Sequence, residues 1–153
     1  WKVNLLDQKH PFRLLPAVVV VPGADAKRAP RFERLERGED MAGCVFDLAG
    51  APVGHQRYVV VLGIEDASAR KQSFDQVEEV SYRFLDESGK ERAWFAKPAP
   101  GAGRILLLAA SIYRYRSAWR LTVLHEAVSE GIDGLRKLYP SATVPRELLE
   151  GTK

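Results

Sequence analysis

Apolar and polar positions alternate along most of the chain with the period of two that belongs to strands. Residues 12–21, "FRLLPAVVVV", are a β-branched run closed by "PG". Pro16 places the start of that strand at a sheet edge or a bulge, because proline has no N–H to give to a neighbour. Segment 22–42 is charged or small and reads as the most mobile loop, with one weak strand at Phe32 to Leu35. "GCVFDL" (43–48) predicts a short strand ended by "AGAPVG". "RYVVVLGIE" (57–65) is almost continuously apolar, which predicts a central strand covered on both faces.

The stretch "QSFDQVEEVSYRFLDESGKERAWF" (72–95) mixes a hairpin with something else. Val80, Tyr82 and Phe84 share one face of its first arm, and Glu79, Ser81 and Arg83 the other. "DESG" (86–89) is turn chemistry, and "KERAWFA" returns antiparallel. Phe74 and Val77 belong to neither arm and are expected to close the end of the core, while "ARKQ" (69–72) carries the chain from one sheet to the other. Arg70 and Lys71 are therefore read as architecture rather than as ligands. "GRILLLAASIYRYRS" (103–117) and "AWRLTVL" (118–124) predict a second pair. Helical signal is confined to "SEGIDGLRKLYP" (129–140) and "VPRELLEG" (144–151), where Pro140, Pro145 and Gly151 supply the boundaries. The pattern predicts an all-β fold: an antiparallel β-sandwich of about eight or nine strands, with one or two short C-terminal helices. No repeat or dividing linker is evident, so 1–153 reads as a single domain.

Composition narrows the class. A chain of 153 residues can bury roughly two-thirds of its unfolded surface, and 46% hydrophobic with 28% charged residues is a soluble, globular balance. The apolar runs 17–21 and 105–110 are far shorter than the ~20 residues of a membrane helix. No secretory signal pattern opens the chain. It begins at Trp1 rather than Met, which reads as a piece trimmed or excised from a longer protein. The single cysteine, Cys44, cannot form an internal disulfide and is expected to be a small buried apolar residue in a cytoplasmic protein. A net charge of +3 and a pI near 9.1 are mildly basic and do not by themselves call for nucleic acid.

Candidate chemistry is sparse. His10, His55 and His125 lie far apart with no Cys or carboxylate at metal spacing, and each is expected at the surface. No G-x-S-x-G elbow occurs. "GAG" (101–103) leads into a strand rather than a helix, so it reads as a turn and not as a phosphate loop. "YRYRSAWR" (113–120) interleaves aromatic and basic residues. Arg114 and Arg116 are the candidate ligand- or partner-binding residues, since aromatics beside arginine can stack on bases or meet an anionic partner. The plainer reading packs Tyr113 and Trp119 in the core and leaves the arginines in water.

Three stretches in order resemble one family: 45–91, from "VFDLAGAPVG" through "ARKQSF" to the first hairpin; "LLLAASIYRYRSAWRLTV" (106–123); and "EGIDGLRKL" (130–138). Together they resemble the TerD family, the tellurite-resistance and general stress proteins of bacteria. The resemblance implies a β-sandwich and a non-enzymatic, calcium-binding cytoplasmic protein. It also implies partners among other stress-response or tellurite-resistance proteins, in a complex at or near the membrane. The sequence departs from the family where calcium would sit. The family's Asp-Leu-Asp-Ala-Ser stretch is missing, and its acidic run is reduced to Glu39 and Asp40. Asp25 is the other nearby acid, set among Lys27, Arg28 and Arg31. Calcium needs six to eight oxygens, so the site formed by Asp25, Glu39 and Asp40 is expected to be weak or lost. The expected function is thus a TerD-like stress-response binding domain. The alternative is a nucleic-acid-binding β-module using 113–120, with nucleic acid the less favoured partner; an enzyme ranks behind both.

Overall fold

A computed structural model describes residues 1–5, 12–21, 32–34, 43–46, 48–51, 54–142 and 144–153. The chain is mainly β, antiparallel, with few short helices. Strands β2 (Leu14–Val21), β5 (Arg57–Ile64), β8 (Leu106–Tyr115) and β9 (Ala118–Ala127) form a four-stranded sheet in the order β2-β5-β8-β9. Strands β1 (Lys2–Leu5), β6 (Val77–Leu85) and β7 (Glu91–Pro98) form a three-stranded sheet in the order β1-β6-β7. A short ladder joins β3 (Phe32–Arg34) to β4 (Cys44–Phe46). Pro16 sits in β2, an outer strand of its sheet, where its missing N–H costs no ladder bond. Strand β1 is an element the sequence pattern did not announce: four residues are too few for alternation to register.

The apolar run of β5 is buried along its whole length after Arg57, because both faces of its sheet are covered. On one face Leu14, Val60, Leu62, Ile64 and Leu107 share a core cluster with Val77, Val80 and Tyr82 of β6. On the other, Leu15, Val19, Val59, Val61, Leu106 and Leu108 meet Leu135 of α2 (Gly131–Leu138) and Leu148 of α3 (Arg146–Gly151). Burying a side chain of that size is worth about 1.5–3 kcal/mol, so the two clusters are the main source of stability. Gly134 is where α2 reaches its seat: a Cβ there would lie 1.6 Å from the carbonyl oxygen of Ser129.

The bridge between the sheets is built as the sequence implies. A one-turn helix, α1 (Ala67–Arg70), is flanked by Asp66 and Lys71, both at positive φ. A single 3-10 turn follows at Phe74–Gln76, closed by a capping box: Ser73 Oγ accepts from the Asp75 N–H and Gln76 Oε1 from the Ser73 N–H. Phe74 is fully buried, as is Val77 to within 5%. Asp75 ties the turn to the 101–103 loop by accepting the Gly103 N–H at 2.8 Å. That loop turns through three successive positive φ values, at Gly101, Ala102 and Gly103. The loop expected over 22–42 lies outside the described residues, apart from β3.

Candidate functional site

The aromatic and basic residues of 113–120 separate onto the two faces of the β8–β9 hairpin. Trp119, Leu121 and Val123 alternate onto one face of β9, and Leu121 and Val123 face Phe84, Ala93 and Phe95 of the three-stranded sheet. Arg114 sits opposite Trp119, with its guanidinium 4.4 Å from the indole centroid. Trp119 stacks on Tyr58 at 5.5 Å and 14°; Tyr58 in turn stacks on Phe46 and meets His55 edge-on. Arg114 donates from Nε to the His55 carbonyl at 2.9 Å and from a terminal nitrogen to the Ala51 carbonyl at 3.3 Å. Its charge is therefore used to hold the Ala51 and His55 carbonyls. Burial pushes the Tyr58 phenol up, and the Arg114 guanidinium pulls it partly back.

His55 corrects the sequence expectation. It is fully buried rather than at the surface, with Nδ1 2.8 Å from the Tyr58 hydroxyl. Its Nε2 has no hydrogen-bond partner among the described residues. His125 is half-buried and also tied down: Nε2 contacts the Pro98 carbonyl and Nδ1 the Tyr82 hydroxyl, each at 2.6 Å. The geometry makes Nε2 the donor to Pro98 and Nδ1 the acceptor from Tyr82. His125 has φ 49° and lies at a bulge in β9, so the irregularity swings its ring across the gap to clasp β6 and β7. Burial pushes the Tyr82 phenol well up, which keeps it a neutral donor. His10 lies outside the described residues.

The opposite face of the hairpin carries a different set. Arg57, Tyr113 and Arg120 are consecutive cross-strand neighbours on β5, β8 and β9. The Arg57 guanidinium lies 5.1 Å from the Tyr113 centroid and also donates to Ser111 Oγ. Arg120 covers the Tyr115 ring at 3.9 Å, and Arg116 approaches the same ring at 5.3 Å from the turn. Arg57, Arg116 and Arg120 are exposed and form no ion pair among the described residues. Arg57 therefore has the Tyr113 ring, and Arg116 and Arg120 the Tyr115 ring, as a cation–π partner.

Between the sheets the far side of β9 opens into an apolar groove of about 490 Å³, lined by Phe84, Ala93, Phe95, Lys97, Leu121 and Val123. Phe95 and Leu121 are 43% and 45% exposed.

The two arginines picked out from the sequence thus part company. Arg116 faces solvent at the hairpin tip, whereas Arg114 is half-buried as a brace. Arg57 and Arg120 were missed. Arg57 is distant in sequence and only register brings it alongside; Arg120 stood in the quoted stretch but was not singled out. Asp25, Glu39 and Asp40 lie outside the described residues. Among the described residues no group of three or more His, Cys, Asp or Glu could hold a metal ion.

The fold and these surfaces define a mainly-β domain whose polar clusters serve to brace sheets and turns. The TerD domain matches residues 30–139, and the chain belongs to the TerD domain family. It is similar to the stress response protein SCP2 of Bacillus subtilis (strain 168), with 30% identity over 87 residues. That match covers 56% of this chain and 44% of the relative, so the chain spans less than half of that protein's length.

Proposed function

We propose that this chain is a non-enzymatic, cytoplasmic stress-response domain of the tellurite-resistance type that acts by binding a partner protein, with calcium binding weak or lost. In this reading the two larger sheets are the halves of a β-sandwich. Its partners are other stress-response or tellurite-resistance proteins, in a membrane-associated complex. Family membership and the relative's name support the stress role. The observation that carries the binding role is the contrast between polar groups. His55, His125, Tyr82 and Arg114 are engaged within the fold, while the exposed arginines and the apolar groove face outward.

Calcium titration followed by thermal unfolding tests the metal part of this reading. A ligand held with Kd far below its concentration stabilises the native state by a few kcal/mol. The expected result is no shift in Tm at micromolar calcium. A clear upward shift there would overturn it, and would mean that Asp25, Glu39 and Asp40 converge with further oxygens.

A further inference from the structure

We propose that the outer edge of β9, which has no strand neighbour among the described residues, takes up an extended peptide as an added strand, and that the peptide it fits alternates acidic and apolar side chains. The inference deepens the binding role above and rests on it. Three independent observations meet at one place. First, β9 is the outer strand of its sheet, and Ala118–Val123 continue a regular ladder with Tyr115–Ala110 before the bulge at His125. A regular edge of this length, without a ladder partner among the described residues, is a template for main-chain hydrogen bonds. Second, Leu121 and Val123 open on one side into the groove shared with Phe84 and Phe95. Third, Arg120 and Arg116 stand on the other side with no ion pair among the described residues.

An added strand would lie about 4.8 Å from β9 and send alternate side chains to opposite faces. One set would enter the groove; the other would run past Arg120 and Arg116. The first set must therefore be apolar and the second acidic. A second copy of this chain does not fit, because antiparallel pairing of two β9 edges puts Arg116 and Arg120 of both copies on one face. Base stacking fits less well than carboxylate contact, because Arg120 already covers the Tyr115 ring at 3.9 Å.

The test uses a synthetic peptide of alternating Glu and Val, compared with a Lys-Val alternation, a block peptide of the same Glu and Val content, and oligo-thymidine. The alternating Glu-Val peptide should bind. Arg120→Glu and Leu121→Asp, made separately, should each lower its affinity at least tenfold, because each face is needed. Arg146→Glu, a charge reversal on α3, should leave it unchanged. Equal urea midpoints for Arg120→Glu and Arg146→Glu exclude a folding artefact. Equal affinity for the block peptide would overturn the proposal, since charge alone would then suffice. So would preference for oligo-thymidine, concentration-dependent self-association through β9, or no binding of the Glu-Val peptide. None of these outcomes alters the calcium titration, so failure here and failure of that reading are separable.

Discussion

Two arginines two residues apart in sequence have opposite fates. Arg114 bonds the Ala51 and His55 carbonyls and lies over Trp119, so its removal strands acceptors in a half-buried setting. Arg114→Ala should lower the unfolding free energy by about 1.5–3 kcal/mol in urea titration. It should leave Glu-Val peptide affinity within twofold. Gly134→Ala should cost about 1–3 kcal/mol, because the new methyl meets the Ser129 carbonyl and α2 must lift from the sheet. Asp86 gives a pH-dependent case. Its carboxyl is held below the ordinary value of 3.8, most of all by the Ser88 hydroxyl; burial opposes this as the second-largest effect, and the Lys90 N–H, the Arg92 guanidinium and the Ser88 N–H lower it further. A depressed folded value means that the contribution is present above the unfolded value and is lost as pH falls through the folded one. Asp86→Asn should therefore be less stable than the parent at neutral pH, and the two unfolding curves should converge in acid below pH 3.8.

At the scale of elements, the bridge between the sheets is the piece whose logic is most complete. Phe74 is fully buried in the same cluster as β5 and β6, and the 3-10 turn exists to place it there. Phe74→Ala should destabilise by about 3–5 kcal/mol, measured by chemical denaturation, because a large cavity opens at the junction of the two sheets. This role was legible in the sequence. A lone Phe between a basic loop and an alternating strand had no other use, and the first hairpin after it was marked by "DESG". What sequence could not supply was register. The pairing of Arg57 with Tyr113 depends on a ladder between residues more than fifty positions apart, and the register of the β8–β9 hairpin then sets Arg120 beside Tyr113. His55 was misjudged for a related reason. It sits in a turn, but Arg114 pulls that turn onto the sheet and covers the ring with Tyr58. The one-turn helix α1 carries too little periodicity to be read at all.

For the whole molecule, charge is distributed rather than concentrated. Several exposed cations are paired locally, such as Arg92 with Asp86, Arg136 with Asp133 and Arg146 with Glu150. Such surface pairs contribute at most about 1 kcal/mol each, and they neutralise the surface they occupy. The face of Arg57, Arg116 and Arg120 has no such neutralisation among the described residues, although the net charge is only +3. The site therefore resides in an arrangement and not in the total, and peptide affinity should fall several-fold between low and high salt. Amide hydrogen exchange across β9, with and without the alternating Glu-Val peptide, tests the account most directly. The account predicts new protection at alternate amides within Ala118–Val123 and none at the outer edge of β2. Peptide binding that leaves those β9 amides exchanging at their original rates would contradict it.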